Sequence, residues 1–115
     1  MSVYYLNGSN QVGQTVTGIG QVVPMVDKAT GSLSNPPYQT FQAVVTGTGT
    51  VSGSVTIQGS NDGINWTNIG SALAVASGTS PQNASVVTNT TYQYFQANVT
   101  ALTGTGAGCT VTMGI

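Results

Sequence analysis

Residues 59 to 70, GSNDGINWTNIG, hold the chain's only Trp and one of its two acidic residues. A carboxylate beside an exposed indole is a pairing suited to carbohydrate, the sugar ring stacking on the indole while a hydroxyl donates to the carboxylate. The same residues also fit a purely local role. Val55 to Gln58 leads in, SNDG turns and Ile64 to Ile69 leads out, so Asp-Gly supplies hairpin geometry and Asp62 caps its own turn. Trp66, two residues beyond Ile64, then falls on the apolar face and anchors the core. The structural role is the expectation, and the sugar site is its alternative.

Little other chemistry is on offer. The charged side chains are Asp27, Lys28 and Asp62, and the chain has no His, so neither a Ser-His-Asp nor a Cys-His arrangement can form. Asp27 lies in VDKATG, a turn in which Lys28 is its natural companion, and SNDG lacks the repeated acidic spacing of a calcium loop. The Gly-Thr runs share only their glycine with phosphate-binding loops, since neither a Lys nor a helix follows. Cys109, the single cysteine, sits in GCTVTM on the apolar side of an alternating segment and is expected to be a small buried hydrophobe. No enzyme activity, cofactor or metal is expected.

Composition narrows the partners. At 3% charged residues against roughly 25% in an ordinary domain, the surface must be built from Ser, Thr, Asn, Gln and Gly. One cation cannot assemble a nucleic-acid groove. No apolar run approaches the ~18 residues of a membrane span, and MSVYYLNGSN lacks the basic region and long apolar stretch of a signal peptide, so an untargeted soluble chain is expected. Disorder is disfavoured by the abundance of Val and Thr at near-zero net charge. One domain over residues 1–115 is expected, with residues 1–9 as either an N-terminal arm or an edge strand.

The elements that must position these residues are strands. Tyr38 to Val45 places Phe41, Ala43 and Val45 on one face; after a TGTGT link, Val51 to Ile57 aligns Val51, Val55 and Ile57, and the two read as a hairpin. Tyr92 to Val99 aligns Phe95, Ala97 and Val99, and Cys109, Val111, Met113 and Ile115 form the apolar side of a last strand. Weaker strands are expected at Val3 to Leu6, Gln14 to Thr17, Gln21 to Val26, Leu73 to Ala76 and Ser85 to Thr88, with Pro24 marking an edge. YQTFQA at 38 to 43 returns as YQYFQA at 92 to 97, each followed by a Gly-Thr-rich link and an alternating SVTI or TVTM segment. The expected fold is all-β: a single antiparallel β-sandwich, jelly-roll-like, with two pseudo-equivalent hairpins.

GSNDGINWTNIG, followed by a polar linker and YQYFQANVTALTGTGAGCTVTMGI, resembles small tailed-bacteriophage virion proteins with an SNDG-type turn, a Trp and a late aromatic strand running into a Thr-Gly link. The resemblance spans about Tyr38 to Ile115. It implies a capsid decoration or cement protein, or a fibre-associated one, and brings no catalytic residue with it. The expected function is a structural virion protein that binds and stabilises a phage capsid shell, made in the host bacterial cytoplasm and carried on the capsid exterior. Its expected partners are the major capsid protein and further copies of itself, with neither nucleic acid nor membrane involved. The alternative is a tail-fibre or receptor-binding tip that recognises a host glycan. The N-terminal VYYL places adjacent tyrosines on opposite faces, and Tyr94 points away from Phe95, so the candidate partner interface is Val3, Tyr4, Tyr5, Leu6 and Tyr94.

Overall fold

QTFQAVVTGTGTVSGSVTIQGS is one strand, β4 (Gln39–Ser60), buried at alternate positions over Gln39–Val45 and again over Val55–Gly59, with the Gly-Thr link exposed between them. The last long segment behaves alike and forms β8 (Tyr94–Gly114). In this computed structural model, which describes residues 3–7, 13–24, 39–89 and 92–114, the two strands run antiparallel from Thr40 opposite Gly114 to Ser60 opposite Tyr94. The two expected hairpins are therefore not formed. Each Gly-Thr link bends its strand without reversing it, because Thr favours extended backbone while Gly permits the local kink. The ladder shifts register between Thr46 and Val55, and Gly49 (φ 74°) and Gly106 (φ 63°) take backbone conformations that a side chain would strain.

Six short strands line the two outer edges of this ribbon. β1 (Val3–Asn7), β2 (Gly18–Ile19) and β3 (Val23–Pro24) pair with β8, while β5 (Thr67–Asn68), β6 (Leu73–Thr79) and β7 (Gln82–Thr88) pair with β4. All pairings are antiparallel. The assignment is crossed: the strands that precede β4 in sequence dock on β8, and those that precede β8 dock on β4. Each half of the chain thus completes the edge of the other.

A local two-fold axis relates the long strands. Phe41 faces Met113 and Phe95 faces Gly59; Ala43 faces Val111 and Ala97 faces Ile57; Val45 faces Cys109 and Val99 faces Val55. The repeated FQA segments are therefore equivalent, as copies in antiparallel partners.

Phe41 and Phe95 lie towards opposite ends of the ribbon, which if straight would set them roughly 60 Å apart at about 3.3 Å per residue. Their ring centroids are 5.6 Å apart, with planes tilted by 53°. The sheet is curled over its own apolar face, and the ends of that face meet. One cluster fills the inside: Phe41, Ala43, Val45, Val55, Phe95, Ala97, Val99, Cys109, Val111 and Met113 are fully buried, with Leu6, Val51, Ile57, Leu73 and Val75 beside them. The architecture is all-β, a curled antiparallel sheet with no helix among the described residues. No helix there is long and apolar enough to cross a membrane.

The weaker strands fare unevenly. β1, β6 and β7 appear where expected, and Pro24 sits in an outer strand opposite Tyr94. Gln14 to Thr17 contributes only an isolated bridge from Gln14 to Cys109. Ile64 to Ile69 reduces to Thr67–Asn68. Asp27, Lys28, Tyr38 and Ile115 lie outside the described residues.

The Phe41–Phe95 contact should carry energy across the fold. Phe41→Ala and Phe95→Ala are each expected to cost about 3 to 5 kcal/mol. A double-mutant cycle followed by urea denaturation should return a coupling of roughly 0.5 to 1.5 kcal/mol, and additive losses would contradict the closure of the curled sheet.

Candidate functional site

Asp62 is consumed by its own loop. The backbone N–H groups of Ile64 and Asn65 each donate to its Oδ1 at 2.8 Å, Asn65 Nδ2 donates to Oδ2 at 2.8 Å, and the Ser60 hydroxyl donates to Oδ1 at 2.8 Å. Ser60, almost fully buried, in turn accepts from the N–H groups of Asp62 and Gly63. The Asn65 backbone N–H first, then that of Ile64, then the Asn65 amide and Ser60 hydroxyl hold the Asp62 carboxyl well below the usual carboxylate range. Gly63 takes the positive φ of 74° that the turn needs. The turn-capping role expected for Asp62 is what the geometry gives.

Trp66 departs from expectation. It is half-buried and stands outside the buried cluster, and Ile64, which should share its inward face, is 79% exposed. The physical reason is the Asp62 network, which holds residues 61–65 in a loop of bends and so removes the alternation that would have turned Ile64 and Trp66 inward. Ile69 and Tyr92 take that place instead. Ile69 is buried, Tyr92 packs against the cluster, and a Cβ at Gly59 would run into the Tyr92 ring. Strict alternation from Phe95 would turn Tyr92 outward with Tyr94, but Tyr92 precedes β8 and is not bound by it; the Tyr94 ring is half-buried beside the Asp62 loop, about 3.9 Å from where a Cβ at Gly63 would sit.

Cys109 is fully buried, as its alternation implies, and burial pushes its thiol up to about 11, opposed by the nearby Asn7 side chain. Asn7 is a working residue that sequence reasoning missed. It is only 2% exposed; its Nδ2 donates to the Cys109 carbonyl at 3.1 Å, and its Oδ1 accepts from the Val111 N–H. The β1–β8 register slips between Tyr5 and Asn7, and the side-chain amide supplies the bonds that the slipped backbone no longer makes. Gln14 continues the seam through reciprocal backbone bonds with Cys109, at 2.7 and 2.8 Å. An Asn ending an apolar run was the available signal, but it reads equally well as the start of the NGSN turn.

The five candidate interface residues divide. β1 stands at the end of the strand order, antiparallel to β8 of its own chain. Val3 is 56% exposed and Tyr4 37%, but Leu6 is fully buried in the core and has no surface to offer a partner. Tyr5, half-buried, faces a cleft of about 320 Å³ on the outward side of the ribbon, lined also by Gln42, Val44, Thr46, Thr110 and Thr112. Alternation explains that lining: these ribbon positions point opposite to Phe41, Ala43, Val45, Cys109 and Val111. Among the described residues no cluster of three or more His, Cys, Asp or Glu could hold a metal ion.

The loop and the indole make separable expectations. Because the folded carboxyl of Asp62 is held down, its contribution is present above the unfolded value of about 3.9 and is lost as pH falls below it. Acid titration of stability should show that loss in the native protein and not in Asp62→Asn. Trp66→Ala should shift the urea midpoint less than Phe41→Ala does, and a shift as large would return the indole to the core. These expectations rest on the chain's own chemistry, since no family model, no curated protein and no solved structure matches it.

Proposed function

We propose that the chain is a non-enzymatic structural component of a tailed-phage virion, a decoration or cement protein that binds the capsid shell and self-associates. The observation that carries this reading is the state of the sheet's edges. Natural sheets protect exposed edges with Lys, inward charges, Pro or a covering element, because unpaired N–H and C=O groups template further pairing. β1 (VYYLN) and β7 (QNASVVT) contain neither a charge nor a Pro; among the described residues no strand pairs with the outer side of β7, while β1 has its Leu6 and Tyr5 carbonyls taken by Gln21 and is left open towards Val3. They expose Val3 at 56%, Val86 at 37% and Val87 at 63%. Such edges suit strand addition in an assembly, with backbone bonds and apolar contacts replacing ion pairs. The partners in this reading are the major capsid protein and further copies of the chain, and its place is the capsid exterior.

The reading extends to the fold, taking the curled sheet as a jelly-roll-like sandwich. The Phe41–Phe95 contact supports this, since side chains from the two ends of one ribbon meeting across its inward face are what two packed layers require.

Immunogold labelling of purified particles tests the placement. Signal over the whole head is expected, and signal confined to the tail would favour the receptor-binding tip. Val87→Lys and Val3→Lys should lower self-association or particle occupancy, read by sedimentation and by densitometry of purified particles, while leaving the melting temperature nearly unchanged. If neither variant weakens either readout, the edges are not the attachment surfaces.

A further inference from the structure

The local two-fold axis supplies an internal comparison for the outward cleft. The axis makes Gln42 equivalent to Gln96, Val44 to Asn98, Thr110 to Thr56, Thr112 to Gln58 and Tyr5 to Asn68. In the second set the side chains satisfy one another across three strands. Gln96 Nε2 donates to Gln58 Oε1 at 2.7 Å, Gln58 Nε2 donates to Asn68 Oδ1 at 2.9 Å, and Gln96 is 3% exposed. In the first set the chain of amides is broken: Thr stands in place of Gln58, and a tyrosine ring in place of Asn68. The Gln42 amide and the Thr46, Thr110 and Thr112 hydroxyls make no side-chain hydrogen bond to the described residues, and all of them line the 320 Å³ cleft. One copy of a duplicated surface is closed, and the other is open with its hydrogen-bonding capacity unspent.

We propose that this cleft is a binding site for one neutral sugar ring. Its lining dictates the class. No charged side chain lines it, so an anionic ligand would meet no counter-charge. The groups it does offer, hydroxyls that donate and accept and an amide that does both, match sugar hydroxyls, while the Tyr5 ring and the Val44 methyls suit the apolar face of a pyranose. Its volume stands at the lower end of the roughly 300 to 1,000 Å³ typical of ligand sites, enough for a single ring, and the open side lets a glycan chain continue outward. The proposal depends on the cleft alone and is unaffected by whether the chain sits on a phage head or tail.

The test is an NMR titration of the ¹⁵N-labelled full chain with glucose, galactose, mannose and N-acetylglucosamine in turn. At least one sugar should give saturable shifts at Tyr5, Gln42, Thr110 and Thr112, with Gln58, Asn68 and Gln96 unmoved. Thr112→Val preserves the side chain's shape, and Gln42→Ala trims an exposed side chain; both should keep the fold, judged by the dispersed spectrum, and each should weaken binding by about tenfold. Absence of saturable shifts with all four sugars would overturn the proposal. So would undiminished binding by the Gln42→Ala, Thr112→Val double variant, or equal binding of N-acetylneuraminic acid, for whose charge the cleft offers no counter-charge.

Discussion

The ladder between β4 and β8 is the constraint from which the rest of the structure follows. It runs nearly the whole length of both strands, and each described short strand hydrogen-bonds to one member of it. Because the short strands dock on the long strand of the opposite half, neither half can complete its own sheet. Most of the stabilising contacts are therefore remote in sequence, and the loop-closure entropy for joining the halves must be met before much apolar surface is buried. The bend in the ribbon is what converts pairing into a core: a straight ribbon would expose one apolar face along its length, whereas the curled one brings Phe41 against Phe95 and closes that face upon itself.

Symmetry and divergence then divide between the two faces of the ribbon. On the inward face the equivalent positions keep their character: Phe41 with Phe95, Ala43 with Ala97, Val45 with Val99 and Val111 with Ile57. One inward pair differs, Met113 against Gly59, and there the Tyr92 ring occupies the room that the glycine leaves. Close packing forces this conservatism, since each inward side chain must fit its counterpart across the axis. The outward face is free of that demand. There the same axis relates a closed network of amides to an open cleft, a difference that core packing does not require.

Much of this was legible in the residues, and the failures have two causes. Alternation assigned the inward faces of both long strands correctly, down to the buried Cys109, because a period of two is set by backbone geometry alone. The FQA repeat correctly announced two equivalent segments. What alternation could not decide was whether TGTGT and its late counterpart reverse the chain or only bend it. Gly-Thr runs are compatible with both, and the choice is made by pairing partners distant in sequence. Trp66 failed for a complementary reason: a local network around Asp62 overrode the alternation, and the hydrophobicity of an indole does not reveal that. Gln42, Gln58 and Gln96 stand at plainly outward positions, yet their significance lies in which are bonded to each other, and the sequence holds no record of that.

The scarcity of charge has a structural consequence that links the cleft to the edges. Asp62 is the one charged side chain among the described residues, and its carboxylate is fully engaged in a turn. Every other outward contact of the described residues must then be made by neutral groups, whose attraction is short-ranged and falls away once a hydrogen bond is stretched. Such a surface gains little from long-range steering and little from loosely fitting partners. It discriminates by shape and by hydrogen-bond register, which is how an open strand edge selects another strand and how a hydroxyl-lined cleft selects a ligand rich in hydroxyls. Both surfaces also escape screening by salt, so an assembly built on them would hold its contacts across the range of ionic strength in which ion-paired interfaces weaken.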